Sequence, residues 1–218
     1  MSTIAKNDTG KPQGHYRTTE TDWERVAPYI RYRYERAQGR LPLHGTVYEL
    51  GAGIGVGTAF LARMRPDLNF IGFEMSKEAV DYGMGAFKGI SNFKLVQASD
   101  ILEVSAFLEQ AAFLVALEVL EHLNDLQLDQ FKSLVMPKLQ ECVFSFPYQQ
   151  TEREGTDHLQ CFDMWNIFEI FPGFETIFVR RGSIKFIGYW ERKRRGYLLQ
   201  PLGIGGEAAA MSRLSPCL

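Results

Sequence analysis

Four ionisable side chains stand out by type and spacing. Glu118, Glu121 and His122 lie in the stretch Leu117-Glu118-Val119-Leu120-Glu121-His122-Leu123. A helical turn there puts the three on one face, at i, i+3 and i+4. Two carboxylates and an imidazole suit Mg²⁺, Mn²⁺ or Zn²⁺. His158, in Thr156-Asp157-His158-Leu159, is the candidate fourth ligand. A cation so held would bind a hydroxyl oxygen and lower its pKa. Alternatively, His122 or His158 takes that proton as a general base. Glu118, His122 and His158 are therefore the candidate catalytic residues.

A second constellation has the chemistry of a nucleoside site. Glu49-Leu50-Gly51-Ala52-Gly53-Ile54-Gly55-Val56-Gly57 falls where a strand should turn into a helix. Glycines permit the sharp turn and the close approach of a ligand. The helix that follows offers its free N–H groups to an anion. Counting from Gly51, Gly53 or Gly55, the last position of a G-x-G-x-x-G pattern is Val56, Thr58 or Phe60, so the dinucleotide fingerprint fails. No Gly-Lys-Ser/Thr follows either, which removes a P-loop. Glu74 lies twenty-five residues beyond Glu49 and ends a second apolar run. A carboxylate there can accept both hydroxyls of a ribose. Asp100 ends a third run, where it can accept from an adenine amino group. The plainer role for Glu74 and Asp100 is to cap the helices that follow them.

These residues need a frame. The spacing predicts a helix from Thr21, with Thr21 and Glu24 in capping-box register and Pro28 breaking it early. Strands are expected at 46–50, 69–74, 93–97, 112–117 and 141–146. Helices are expected at 56–65, 76–87, 101–110, 125–139 and 162–171. Two closing strands, 175–180 and 184–190, are joined by only Arg181-Gly182-Ser183, which requires an antiparallel pair. The alternation implies an α/β fold: a doubly wound, Rossmann-like, seven-stranded and mostly parallel sheet with one antiparallel strand from the C-terminal hairpin. The organisation expected is a mobile arm over 1–20, a helical lid over 21–44, the main domain over 45–195 and a flexible tail over 196–218.

Composition narrows the classes further. The chain has 218 residues, 45% hydrophobic and 23% charged, with a net charge of −2. These values suit a soluble globular domain and give no global pull toward nucleic acid. The longest apolar run, Ala111 to Leu117, is too short for a membrane span. Residues 1–14 have no apolar core, so no signal peptide is expected. Three cysteines with no C-x-x-C pair, Cys142, Cys161 and Cys217, fit a reducing cytoplasm.

Taken together, Glu49-Leu50-Gly51-Ala52-Gly53-Ile54-Gly55, Phe73-Glu74 and Ala98-Ser99-Asp100 resemble the three cofactor motifs of class I S-adenosylmethionine-dependent methyltransferases. The resemblance spans about residues 45–190. It implies S-adenosyl-L-methionine as cofactor, with Glu49 and the glycines Gly51, Gly53 and Gly55 on its methionine and ribose side. By the same resemblance Glu74 holds the ribose hydroxyls, Met75 lies against the adenine, and Asp100 with Ile101 receives the adenine edge. The segment from Glu118 to His122 is similar to one in quinone-biosynthesis O-methyltransferases and in small-RNA 2′-O-methyltransferases. The small-RNA enzymes add a downstream histidine to a metal site, and His158 is the counterpart here. Comparable segments also occur in class I methyltransferases with no known metal.

The acceptor is expected to be a small molecule methylated on oxygen. Aromatic side chains at Tyr16, Trp23, Tyr29, Tyr32, Tyr34, Phe144, Phe146 and Tyr148 could form a lid over a flat or apolar acceptor. Phe162, Trp165 and Phe168 are expected to pack in the core. Arg180, Arg181, Lys185 and the run Arg192-Lys193-Arg194-Arg195 leave a metal-dependent RNA 2′-O-methyltransferase as the runner-up. Such a run equally blunts a strand edge. A non-catalytic cofactor-binding or protein-interaction subunit is the remaining alternative.

Overall fold

A computed structural model describes residues 19–147, 158–180 and 185–192 of the chain. The expected mobile arm and tail lie almost wholly outside these residues, as do Tyr16, Tyr148, Arg181, Lys193, Arg194 and Arg195.

The chain begins with a 3-10 turn at Trp23–Arg25, capped by Asp22, whose side chain accepts from the Glu24 N–H. The helix α1 spans Pro28–Gln38. The capping box expected at Thr21 and Glu24 does not form, and Pro28 starts the helix instead of breaking it. Proline at the first helical position loses no helical hydrogen bond, and its fixed φ suits the helix.

The sheet strands are β1 (Thr46–Leu50), β2 (Asn69–Glu74), β3 (Phe93–Gln97), β4 (Ala112–Leu117), β5 (Leu139–Pro147), β6 (Glu175–Arg180) and β7 (Lys185–Glu191). Helices α2 (Val56–Met64), α3 (Lys77–Ala86), α4 (Ile101–Phe107), α5 (Asp125–Gln130) and α6 (Met164–Ile170) connect them. The spatial order is β3-β2-β1-β4-β5-β7-β6. β1 to β5 pair in parallel, and β7 runs antiparallel to both β5 and β6. One antiparallel strand enters from the C-terminal hairpin, as expected.

β4 shows why the sheet must be covered twice. All six of its residues are buried. Leu114 and Ala116 join one core with Phe144, Phe146, Ile167 and Phe171. Phe113 and Val115 join the other with Ala59, Leu61, Ile30 and Tyr34. Alternate side chains of one strand feed two apolar layers, so neither face is left to water.

Three local expectations are corrected. The helix expected over 125–139 becomes α5, a π-helical turn at Phe131–Val135 and a 3-10 turn at Met136–Lys138. Pro137 cannot supply an N–H to a continuing helix. Trp165 and Phe168 are exposed, 81% and 52%, and only Phe162 of the expected trio is buried. α6 turns Ile167 and Ile170 inward instead. Phe144 and Phe146 are core residues and not lid residues, packed with Phe171 and Phe186. Among the described residues, no helix is long and apolar enough to cross a membrane.

Candidate functional site

Strand order reverses between β1 and β4, and the connections from these strands leave in opposite directions. An open α/β sheet forms its crevice at such a point, beyond the carboxyl ends of the strands. A cavity of about 760 Å³ lies there. That is within the range of ligand sites, roughly 300–1,000 Å³.

The glycine loop forms its floor. Gly51, Gly53 and Gly55 have φ of 71°, 59° and 78°, which favour glycine. They do different work. A Cβ on Gly51 would lie 2.6 Å from Val119, and one on Gly55 would strike Phe93 and Leu95, whereas nothing stands within 4 Å of one on Gly53. Gly51 and Gly53 line the cavity; Gly55 lies behind it and starts α2 as its N-cap.

Glu74 ties the loop to the neighbouring strand. Its Oε2 accepts from the Gly53 N–H at 2.9 Å and its Oε1 from the Ser76 N–H at 2.9 Å. Each carboxylate oxygen has a further acceptor site. Met75, Asp100 and Ile101 continue the wall. Asp100 also caps α4, accepting from the Glu103 N–H at 2.8 Å. Capping and cavity lining coexist in this residue.

Glu49 is placed differently. It is 2% exposed and does not reach the cavity. Its two oxygens accept from the Tyr34 and Thr58 hydroxyls, each at 2.5 Å. Burial pushes its pKa up from 4.5 to about 7; the Thr58 and Tyr34 hydrogen bonds oppose this, and the Glu74 charge adds to it.

The segment after β4 is not one helical face. Glu118 has φ of 55°, the left-handed region, and the helical turn covers only Leu120–His122. Glu118 is turned toward α1, where its carboxylate meets Arg33 at 2.9 Å with both side chains buried. Ser145 donates to its other oxygen at 3.2 Å, while the Glu118 N–H donates to the Ser145 carbonyl at 2.9 Å. Non-glycine residues in this backbone region carry strain of about 1–2 kcal/mol, and such strain gathers at ligand sites.

Without Glu118, three of the four expected metal ligands come together. One ligand atom from each of Glu121, His122 and His158 lies within 4.8 Å of the others. The His122 and His158 rings meet edge to face, with centroids 4.8 Å apart. The Glu121 carbonyl accepts from the Leu159 N–H at 2.7 Å and the Gln160 N–H at 3.0 Å, fixing the segment that carries His158. Of the trio, only His122 lines the cavity. A carboxylate and two imidazoles are a donor set that fits a divalent transition metal or Zn²⁺.

Sequence reasoning missed Arg33, which lines the cavity beside Tyr34, its neighbour in α1 and one of the aromatics expected in the lid. One signal was available. Ile30, Arg33, Tyr34 and Ala37 form the buried stripe of α1 at i, i+3, i+4 and i+7, and an arginine in such a stripe requires a buried partner. Ser145 and Thr58 left no comparable trace. In the basic C-terminal segment, Arg192 is a structural tie: its guanidinium donates to the Met136 carbonyl and its N–H to the Gln140 carbonyl.

Solved structures similar to this chain include methyltransferases. The N-terminal domain of EvdMO1 with SAH bound matches with a TM-score of 0.60 and 17% identity, over 74% of this chain and 80% of that one. A SAM dependent methyltransferase from Aquifex aeolicus matches with a TM-score of 0.56 and 15% identity, over 77% and 95%. A putative methyltransferase from Pseudomonas syringae gives 0.54 and 16%, over 75% and 99%. The chain shares the Rossmann-like fold of these structures. No family model and no curated protein matches the sequence.

Proposed function

We propose that the protein transfers a methyl group from S-adenosyl-L-methionine to an oxygen of a small-molecule acceptor. The observation that carries this is the convergence of Gly51, Gly53, Glu74 and Asp100 on one cavity at the strand reversal. Its support is the fold shared with an SAH-bound domain.

In this reading the Gly53 backbone faces the ribose and methionine part of the cofactor. Its missing side chain leaves the space that the ligand fills. Glu74 accepts the ribose hydroxyls, and its bonds to Gly53 and Ser76 hold the carboxylate ready. Met75 lies against the adenine, and Asp100 with Ile101 faces its edge. Glu118 and Arg33 form a charged wall between α1 and β4.

Methyl transfer from a sulfonium places the acceptor oxygen in line with the departing sulfur. The oxygen must lose its proton as the new bond forms. His122 is the candidate group on the cavity side, and as a neutral imidazole it takes that proton. The edge of His158 fixes its ring. Alternatively, Glu121, His122 and His158 would hold a divalent cation, which when bound would lower the pKa of the acceptor hydroxyl; His122 would then be a ligand and not the base.

The test is a methyl-transfer screen with labelled S-adenosylmethionine and hydroxylated small molecules, run with and without chelator. Labelled product from the wild type, reduced at least about a hundredfold by His122→Ala, supports the reading. Product formed equally well by His122→Ala removes His122 from the chemistry. SAH binding with no turnover of any acceptor favours a cofactor-binding subunit.

A further inference from the structure

Two neighbouring residues fasten α1 to the sheet, each through a carboxylate at a strand end. Arg33 pairs with Glu118 beyond β4. Tyr34 donates to Glu49 in β1. The second tie is unlike the first because Glu49 lies behind the cavity and not in its wall. The Tyr34 ring also fills the space above Gly57, where a Cβ would stand 1.9 Å from it. Tyr34 thus seals the carboxylate to which it is bonded. Moving α1 outward would lift that ring and admit water to Glu49.

We propose that Glu49 is a positioning residue and not a cofactor ligand: it latches α1 over the cavity through Tyr34, and its protonation sets how readily α1 opens. That the cavity receives S-adenosylmethionine rests on the function proposed above; the latch itself rests on the packing of α1.

The sign follows from desolvation. With α1 closed, burial raises the Glu49 pKa to about 7, against the Thr58 and Tyr34 hydrogen bonds and with the Glu74 charge. The groups facing it are therefore Tyr34 from α1, Thr58 from α2 and, through its charge, Glu74 at the end of β2. The Arg33–Glu118 pair stands beside Tyr34 as an opposite-charge unit. With α1 open, water returns the carboxyl toward its ordinary value of 4.5. The closed form then binds the proton more tightly, so rising pH favours opening, by about tenfold between pH 6 and pH 8.

Hydrogen exchange of the ligand-free full chain reads this without any cofactor. After correction for intrinsic rates, protection of the α1 amides in the wild type should fall about tenfold from pH 6 to pH 8. Glu49→Gln, neutral and of the same shape, should show the same protection at both pH values. Tyr34→Phe should lower α1 protection at pH 6 relative to the wild type. Wild-type protection that does not change with pH, or a Glu49→Gln variant that keeps the wild-type slope, overturns the latch. SAH release should follow the same pattern, faster at pH 8 in the wild type and level in Glu49→Gln. A release rate indifferent to pH, in a protein whose α1 exchange does respond, overturns the claim that the latch gates the cavity. Failure of the wild type to bind SAH overturns the proposed function and leaves the exchange result to decide the latch.

Discussion

The Arg33 guanidinium stands 2.9 Å from the Glu118 carboxylate, both buried, and joins α1 to the end of β4 in the cavity wall. Breaking such a pair from one side leaves a buried charge without its counter-ion, at a cost of about 3–5 kcal/mol. Glu118→Gln should therefore lower unfolding stability in urea by that order. The double variant Arg33→Met/Glu118→Leu should be less destabilised than the sum of its single variants. Additive effects would mean that the pair is not energetically coupled.

Gly57 and Gly53 should respond oppositely to alanine. At Gly57 the new methyl meets the Tyr34 ring, so Gly57→Ala should destabilise by about 1–3 kcal/mol and loosen α1. At Gly53 the methyl enters open cavity space, and only the backbone φ of 59° opposes it. Gly53→Ala should cost about 1 kcal/mol in stability and weaken SAH binding more than Gly57→Ala does. Thermal unfolding and calorimetry on both variants check the ranking.

Glu49 also predicts a pH dependence of global stability. Its folded pKa is raised from 4.5 to about 7. The stability linked to its proton is therefore fully present below about pH 4.5 and lost as pH rises through about 7. The wild type should lose more stability than Glu49→Gln between pH 5 and pH 8. Parallel urea-unfolding profiles for the two proteins would contradict the shift.

The Glu121, His122 and His158 group predicts cation binding. Titration with Zn²⁺ or Mn²⁺ should show one site, with affinity falling at least about tenfold in His158→Ala and in Glu121→Ala. Glu118→Gln should leave that affinity near the wild-type value, because Glu118 lies outside the group. Equal affinity in all four proteins would remove the site.

The sheet was legible because its strands are short apolar runs closed by turn residues. β1, β2, β3 and β4 run over the residues expected from sequence. Asp100 caps α4 where the pattern placed it, whereas α3 is capped by Ser76, two residues beyond Glu74. The residues around the cavity were legible in part. Glu74, Gly51 and Gly53 follow from strand ends and glycine spacing, since both are local signals. Glu118 was misread because a left-handed backbone residue breaks helical spacing, and no sequence period shows that. Glu49 sits in the motif but faces away from the cavity, because its partners come from α1 and α2. Such tertiary partners leave no mark on local pattern. Trp165 and Phe168 mislead for a related reason: the buried stripe of α6 is set by Ile167 and Ile170.

Isothermal titration of the full chain with S-adenosylhomocysteine should show a single site of micromolar affinity. Glu74→Gln should weaken it about tenfold, roughly 1.4 kcal/mol, because an amide N–H₂ would face the ribose hydroxyls or the Gly53 N–H in place of an acceptor oxygen. No heat of binding in the wild type, or equal affinity in Glu74→Gln, would contradict the proposed cofactor binding.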